Sequence, residues 1–440
     1  MSLGRDLRTL SRRRGFLKLL GVRLTSQVGD GMFQAGLAAL FFFRPESMTN
    51  AAAVASALVV MFLPYSLVGP LTGPFLDRWP RRQILAVGNG ARFALALAVA
   101  AAMRTLGVGP VVYVLALVCL GLARFMLAGL SAGLPKVVGR PEHLVLANSI
   151  VPTLGGIATG IGAIIGVALR LFLPDGASRE LASLVTAALA FLGASLAART
   201  LARDELGPDA SEVVGSQSLR GAVAQLRQAV AYLARRGTPA FALSAMALHR
   251  FAYYLQFIAL ILAARNLLAD PSDADAGIAF FGTLGGAMVV GHFVAVVLTP
   301  IAYQRVRPSQ WIVMCLVGGS AGQVAIAASL GVAGGSTPAV PVLLAGLFVF
   351  GVGVQGAKIA VDAIVQADTA DEFRGRAFSI YDVMFNLAAC LASAVALVVL
   401  PDVGLSPSVQ VALVAFVWLV ALAYYVAVRS VGDAPRDVDA

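Results

Sequence analysis

Windows of about 20 to 28 mostly apolar residues recur along this chain, and they constrain its fold more than any other feature. Twelve such windows occur in the 440 residues, at 16–43, 51–74, 83–106, 110–135, 147–173, 180–202, 239–268, 275–299, 309–332, 338–365, 377–400 and 407–429. A helix of about 20 residues crosses the hydrocarbon core of a bilayer, so each window predicts a transmembrane helix. Hydrophobic residues make up 59% of the chain and charged residues 13%, which excludes a string of ordinary soluble domains.

The positive charge of the connecting segments alternates between high and low. With the amino terminus placed inside, the inner segments carry 23 Lys and Arg residues and the outer segments carry five. Cytoplasmic loops carry such an excess, so the asymmetry predicts an even number of spans with both termini in the cytoplasm. This orientation also explains the net charge of +10, and we expect no nucleic-acid partner. The expected location is a bacterial plasma (inner) membrane, crossed many times.

The longest internal loop, about residues 203–237, divides the windows into six and six. Five apolar residues of this loop follow a helical period, with arginines off the stripe: Leu219, Val223, Leu226, Val230 and Leu233. This pattern predicts an amphipathic helix along the inner membrane surface. The sequence therefore predicts an all-α membrane protein with twelve transmembrane helices in two pseudo-symmetric six-helix bundles. The expected domains are an N-terminal bundle (1–202), a cytoplasmic linker with the amphipathic helix (203–237) and a C-terminal bundle (238–440).

The loop between the second and third windows carries a distinctive pattern. From Gly73 to Arg82 it has the spacing G-x-x-x-D-R-x-x-R-R, with Asp77 as its one carboxylate. This spacing resembles the signature loop of major facilitator transporters, although Pro80 stands where the family usually has a second glycine. The resemblance implies a twelve-helix fold that works by alternating access.

A second segment, from Asp371 to Asp382, resembles the start of the eleventh helix in one branch of that family. The branch contains macrolide and multidrug efflux proteins and the enterobactin exporter. In those exporters the start of that helix meets the signature loop, so the resemblance implies an inner gate that forms in the outward-open state. The residues assigned to this gate are Gly73, Asp77, Arg78, Arg81, Arg82, Arg374, Arg376 and Asp382.

The first window carries a polar stripe. Its members, at offsets of 0, 4, 7 and 11, are Arg23, Gln27, Asp30 and Gln34. On a helix these positions fall within a sector of about 60°, which predicts that they face a water-filled cavity or a polar partner helix. Ionisable groups at membrane depth are costly, so each is a candidate functional residue.

Asp30 is the candidate proton carrier of this stripe. Its expected neighbours are Arg92 in the third window and Arg124 in the fourth. The stretch from Leu120 to Gly129 resembles the fourth-helix motif of the family, whose arginine is associated with proton coupling. One hypothesis is that Asp30 carries protons while Arg124 tunes its proton affinity. The alternative is a fixed ion pair that staples helices together.

Two further windows carry candidate residues of a substrate cavity. In the seventh, His249, Tyr253 and Gln256 share a face beside Arg250, and in the tenth the shared face carries Gln355, Lys358 and Asp362. Aromatic and amide side chains at membrane depth suit a partly apolar ligand, so we assign both sets, with Arg23, Gln27 and Gln34, to the cavity. Core packing explains the seventh-window residues about as well, and Lys358 and Asp362 could simply neutralise each other.

Two glycine patterns have structural interpretations. Gly156, Gly160, Gly162 and Gly166 have the small-x-x-x-small spacing that predicts close helix contact. The stretch from Gly351 to Gly356 fits G-x-G-x-x-G, but it lies inside an apolar window without a preceding strand, so we expect no nucleotide site. The three cysteines show no ligand spacing, and we expect no metal site and no cofactor.

These features predict a secondary active transporter and not an enzyme. We expect proton-coupled export of an amphiphilic small molecule, either a drug or a metabolite. Embedded cations outnumber embedded acids, which favours neutral or anionic substrates. The alternatives are an uncoupled or lysophospholipid-type facilitator, and a membrane receptor that binds a ligand without moving it. The expected partners are the substrate, protons and the lipid bilayer, and we expect a monomer.

Overall fold

Long helices form where the apolar windows recur. The structure is a computed structural model that describes residues 9–42, 58, 79–107, 109–138, 141–173, 177–202, 205–207, 219–332 and 339–432. Its helices are α1 (Arg14–Phe42), α2 (Arg81–Leu106), α3 (Pro110–Val138), α4 (Pro141–Phe172), α5 (Ala177–Arg199), α6 (Leu219–Arg236), α7 (Thr238–Asn266), α8 (Ala274–Ala302), α9 (Pro308–Val332), α10 (Val340–Asp368), α11 (Asp371–Val399) and α12 (Pro407–Gly432). The all-α fold class is confirmed.

Ten of these helices, α2–α5 and α7–α12, are long and apolar enough to cross a membrane. Helix α1 occupies the first predicted span and has 29 residues, but the polar stripe interrupts its apolar sequence. The second predicted span, 51–74, lies outside the described residues apart from Leu58. Large apolar side chains such as Ile164, Phe293 and Val398 are exposed on the spanning helices. Lipid is the solvent that such a surface requires.

The chain divides into two compact units, Met1–Phe41 with Leu63–Val223 (unit 1) and Phe42–Phe62 with Ala224–Ala440 (unit 2). In unit 1, α2 packs against α3 and α5, and α4 packs against α3 and α5. Helix α1 approaches α4 at two glycines. A Cβ atom on Gly31 would overlap the carbonyl oxygen of Thr159, and one on Gly162 would overlap that of Val28. The backbones of α1 and α4 therefore cross in direct contact.

The predicted glycine contact of α4 is observed for two of the four residues. Gly162 and Gly166 face α1, whereas a Cβ atom on Gly156 or Gly160 would meet no atom of the described residues within 4 Å. Gly155, which the spacing did not select, abuts Gln27 of α1. The four predicted glycines are separated by four, two and four residues, and such positions cannot all lie on one helix face. The face that meets α1 begins at Gly155, one residue before the first predicted glycine.

Unit 2 contains a densely packed set of three helices, α8, α9 and α10. Gly351 of α10 lies against Met288 of α8, and Gly353 lies against Gly319 of α9, where an added Cβ atom would come within 2.5 Å of the Gly319 Cα atom. These two glycines belong to the G-x-G-x-x-G stretch. The stretch therefore has a packing explanation, because backbones in a membrane approach closely only where small residues meet.

Helix α6 forms where the amphipathic stripe was predicted. Leu233 of the stripe is buried, whereas Val230 is exposed. The Tyr232 ring stacks on Phe373 of α11 at a centroid distance of 4.3 Å, and its hydroxyl accepts a hydrogen bond of 3.1 Å from the backbone N–H of Ala370. Helix α6 is therefore docked on the start of α11 through the ring and the hydroxyl of Tyr232, and its position on the membrane surface stays a prediction.

Candidate functional site

The Asp30 carboxylate of α1 pairs with the Arg92 guanidinium of α2, and both side chains are buried. Arg92 Nη1 also donates to Ser26 Oγ at 3.1 Å, and Ser26 in turn donates to Asn89 Oδ1 at 2.9 Å. Asn89 closes the chain by donating to the carbonyl of Leu85 at 2.9 Å. The result is a continuous polar network between α1 and α2 near the middle of both helices.

Aromatic packing completes the surroundings of Arg92. The guanidinium carbon lies 3.8 Å from the centroid of the Phe191 ring of α5, and Phe33 of α1 meets that ring edge-on at 6.2 Å. A Cβ atom on Gly29 would collide with Phe191, so this glycine makes room for the ring. Arg92 thus binds α1 through charge and α5 through a cation–π contact.

Within the polar stripe of α1, Arg23 is buried like Asp30, whereas the two glutamines are less enclosed. Arg23 Nε donates to Gln27 Oε1 at 2.9 Å one turn along the helix, and Gln27 and Gln34 are half-buried. Arg124 of α3, the other predicted neighbour of Asp30, is also half-buried. Among the described residues, Arg92 is the arginine that pairs with Asp30. The proposed role of Arg124 in proton coupling stays a prediction.

Arg250 is the central charge of unit 2, about 18 Å along α7 from its first residue. Its guanidinium carbon lies over two aromatic rings, 5.0 Å from the centroid of Tyr253 and 4.5 Å from that of Phe385 on α11. Both Tyr254 and Tyr381 meet Phe385 edge-on. The side chain of Arg250 is therefore held by aromatic faces contributed by two helices.

Other polar atoms around this position are buried without a partner among the described residues. They are Nδ1 of His249, Nε of Arg250, both amide atoms of Gln256, and the hydroxyl of Tyr381. Buried polar atoms in folded proteins are normally satisfied, so each such exception needs an explanation. The polar residues predicted on the seventh window thus lie in the interior of unit 2, and His249 and Gln256 among them carry unsatisfied atoms.

The predicted face of α10 carries an internal ion pair. Lys358 Nζ lies 2.6 Å from Asp362 Oδ2, and both side chains are half-buried, as is Gln355. The two charges neutralise each other across one helical turn. This geometry agrees with the simpler of the two sequence interpretations, although the partial exposure leaves the pair accessible.

The described arginines of the basic loop contact the end of α5 and the segment after it. Arg82 Nη2 donates to the carbonyl of Arg199 at 2.8 Å, and Arg81 Nη1 donates to that of Leu206 at 3.0 Å. Lys18 of α1 donates to the carbonyl that follows Arg199, at 2.7 Å. Cations at the last carbonyls of a helix satisfy unpaired acceptors and complement the helix dipole.

The remaining gate residues are only partly described. Gly73, Asp77 and Arg78 lie outside the described residues, and the side chain of Arg374 does too. The guanidinium of Arg376 lies 5.5 Å from the Phe373 ring centroid, and Asp382 is exposed on α11. The assignment of these residues to a gate stays a prediction.

Sequence reasoning missed several partners of the charged groups. Ser26 and Asn89 extend the Asp30–Arg92 pair, and Asn89 was detectable as an amide in the middle of an apolar window. Phe191 and Phe385 lie on other helices than the arginines they cover, and no spacing within one helix relates them. Among the described residues, no group of three or more His, Cys, Asp or Glu side chains could hold a metal ion.

Comparison with known proteins agrees with this architecture. A sequence profile described as Major Facilitator Superfamily matches residues 24–393. A protein of Mycobacterium bovis, described as an uncharacterized MFS-type transporter, is 34% identical over 395 residues, which cover 89% of this chain and 86% of that protein. A Mycobacterium tuberculosis protein with the same description matches with the same figures.

Solved structures of transporters share the fold at low sequence identity. A peptide transporter in complex with alafosfalin has a TM-score of 0.68 at 12% identity, over 96% of this chain and 95% of that one. A nucleoside transporter has a TM-score of 0.65 at 14% identity, over 93% and 99%. A bacterial homologue of the iron transporter ferroportin, in an outward-facing state with soaked iron, has a TM-score of 0.58 at 18% identity, over 95% and 99%.

Proposed function

Because the chain belongs to the major facilitator superfamily, we propose that it is a secondary active transporter that moves an amphiphilic small molecule by alternating access. The observation that carries this proposal is the presence of charged side chains half-way along long helices of both units. Asp30 and Arg92 form the set in unit 1, and Arg250 is central in unit 2. Ionisable groups at this depth mark substrate or ion pathways in membrane proteins.

Proton coupling through Asp30 is the second part of the proposal. When Asp30 takes a proton, the pair with Arg92 loses its Coulomb attraction, but Arg92 keeps its contacts to Ser26 and Phe191. The guanidinium therefore keeps two stabilising contacts while the carboxyl is neutral, and one of the interactions between α1 and α2, the ion pair, is lost. A proton carrier needs such a reversible link.

Export, the exporter branch and the orientation form the third part. We propose that the substrate leaves a bacterial cell through its plasma membrane, as in the drug and siderophore exporters that the segment from Asp371 to Asp382 resembles. Both termini would lie in the cytoplasm, supported by the excess of positive charge in the inner segments. A monomer of two six-helix domains, joined by the linker that contains α6, would carry out the cycle.

An uncoupled or lysophospholipid-type facilitator is the alternative within transport. One observation favours it: Arg92 is completely buried and held by three partners, as expected of a permanent link between α1, α2 and α5. In that case the ion pair would keep its charge throughout the cycle. The two possibilities differ in how flux responds to a proton gradient.

Flux in proteoliposomes with an imposed pH gradient separates these possibilities. The native protein, Asp30→Asn and the surface control Asp270→Asn would be compared with three fluorescent probes: a cationic dye, an aromatic carboxylate and a labelled lysophospholipid. We expect the gradient to accelerate flux in the native protein and the control, and Asp30→Asn to lose that response. An equal response in all three proteins refutes the coupling role of Asp30. Binding of a probe without flux under any condition would favour a receptor.

The gate requires its own experiment. We propose that the loop containing Asp77 and the start of α11 control access from the cytoplasm, as the family resemblance implies. Asp77→Asn should then slow cycling in the proteoliposome assay and leave the equilibrium affinity for the probe nearly unchanged. Loss of affinity at a normal rate would contradict a gating role and place Asp77 with the binding residues.

A further inference from the structure

Arg250 lacks the counter-ion that two other interior cations of the described residues have. Arg92 pairs with Asp30, and Lys358 pairs with Asp362. Arg250 is only 5% exposed, yet no carboxylate of the described residues pairs with it and its Nε has no hydrogen-bond partner. Burial of a guanidinium without a counter-ion is unfavourable in free energy. The presence of Arg250 at this depth therefore indicates a functional role.

The two rings that hold Arg250 do not supply a negative charge. The guanidinium carbon lies over the rings of Tyr253 and Phe385, 5.0 and 4.5 Å from their centroids. A guanidinium carries coplanar N–H donors, and these match a group with two coplanar oxygens, such as a carboxylate or a phosphate, which binds with two parallel hydrogen bonds.

An aromatic surface extends from this cation along the same side of α7. Tyr253 lies nearly parallel to Phe257 and to Phe350 of α10, at centroid distances of 6.3 and 6.2 Å. Phe281 of α8 meets Phe257 edge-on at 5.6 Å. Tyr253, Phe257 and Phe281 are half-buried, so their rings retain surface that a planar ligand could cover.

Unsatisfied polar atoms flank this surface. His249, one turn before Tyr253, is 1% exposed with Nδ1 unpartnered, and Tyr381 is 6% exposed with its hydroxyl unpartnered. Gln256 is completely buried, and neither of its amide atoms has a partner in the described part of the chain. The interior around the aromatic surface is therefore polar as well as aromatic, which is unusual for a part of a membrane helix that only packs.

We propose that the Arg250 guanidinium and the neighbouring rings bind a planar aromatic oxyanion, with its acidic group on Arg250 and its ring system against Tyr253 and Phe257. The inference deepens the proposed transport function and rests on it for the physiological role of the site. It narrows the substrate from amphiphiles in general to aromatic acids. We expect simple cations to bind weakly, because Arg250 carries an unpaired positive charge at this site and repels them.

Equilibrium binding to the full-length protein in nanodiscs tests this inference. The probes are 2-naphthoate, the neutral 2-naphthalenemethanol, the cationic 2-naphthylmethylammonium and the alkyl anion decanoate, with 2-naphthyl phosphate as a second oxyanion. We expect both naphthyl anions to bind about 10- to 100-fold more tightly than the neutral alcohol, the range for a hydrogen bond to a charged group. The ammonium compound should bind most weakly.

Variants locate the effect at Arg250. Arg250→Gln should bring the affinity ratio of naphthoate to the alcohol close to one. Arg250→Lys should keep part of that ratio, because it keeps the positive charge but loses the paired N–H donors of the guanidinium. Arg429→Gln is the matched control, since Arg429 likewise lies over a tyrosine ring (Tyr425, at 4.5 Å) but is exposed near the end of α12. The control should keep the full ratio.

Four results would overturn the inference: equal binding of the naphthyl anion and the alcohol, an unchanged ratio in Arg250→Gln, tighter binding of decanoate, or no binding of any probe. The comparison of probes on the native protein is decisive even if a variant fails to fold. Binding is measured without a gradient, so it is independent of transport. Anion-selective binding without flux would refute the transport function alone, and flux without anion selectivity would refute this inference alone.

Discussion

Removal of the Arg92 guanidinium provides the sharpest test of the network in unit 1. Arg92→Met keeps most of the length of the side chain but leaves the Asp30 carboxylate buried without its partner and removes the donor to Ser26. Breaking a buried ion pair from one side costs about 3–5 kcal/mol. That loss lowers the folding equilibrium constant by about two to more than three powers of ten.

A second substitution separates the charge from the packing. In the double variant Asp30→Asn/Arg92→Met the buried carboxylate no longer exists, so part of the loss should be recovered. Contacting residues show interaction free energies of about 0.5–3 kcal/mol in such cycles, and the value here should lie in the upper half because both partners are buried. The contact of Arg92 with Phe191 is absent in both variants and cancels.

Reversible unfolding in mixed micelles, followed by circular dichroism as the denaturing detergent is increased, measures these free energies. Arg429→Met serves as the control, because it removes an exposed arginine from a tyrosine ring and should change stability by about 0.5 kcal/mol or less. If Arg92→Met is no more destabilising than this control, the pair does not hold α1 to α2. If the loss of stability in the double variant equals the sum of the losses in Asp30→Asn and Arg92→Met, the two charges do not interact.

Two further substitutions test the packing of unit 2. Gly353→Ala places a methyl group against the α9 backbone and should lower the free energy of unfolding by about 1–3 kcal/mol. Gly285→Ala is the control and should change this free energy little, because no described atom lies within 4 Å of the added methyl group. Equal effects would contradict close packing of α9 and α10. Tyr232→Phe loses only the hydrogen bond from Ala370, but Tyr232→Ala also loses the stack on Phe373. We therefore expect proteolysis near α6 to accelerate strongly in Tyr232→Ala and weakly in Tyr232→Phe, and similar rates would refute docking by the ring.

The positions of the helices could be predicted from the sequence far better than the contacts between residues of different helices. Hydropathy places the spanning helices because lipid demands one continuous apolar segment for each. It also places Asp30 at membrane depth, since the position of a charge along a window is visible. It could not choose between Arg92 and Arg124, because that choice depends on the rotation of α2 and α3 about their axes. Rotation is fixed by side-chain packing between helices, which no single window contains.

The same limit applies to the site around Arg250. His249, Tyr253 and Gln256 were identified from spacing on α7 alone, and the structure places them in the interior of unit 2. The ring of Phe385, which completes the aromatic enclosure of Arg250, comes from α11. Sequence separation of more than one hundred residues hides such a contact, although an aromatic residue in the middle of an apolar window was a usable signal.

The glycines that join α8, α9 and α10 have a mechanical consequence. Gly291 and Gly351 bring α8 and α10 into backbone contact, and Gly322 and Gly346 do the same for α9 and α10. Where backbones are in direct contact, side-chain rotamer changes cannot let the helices slide, so we expect these three helices to move as one rigid body. We expect conformational changes within unit 2 during a transport cycle to occur mainly in α7, α11 and α12, where large aromatic side chains can change rotamer.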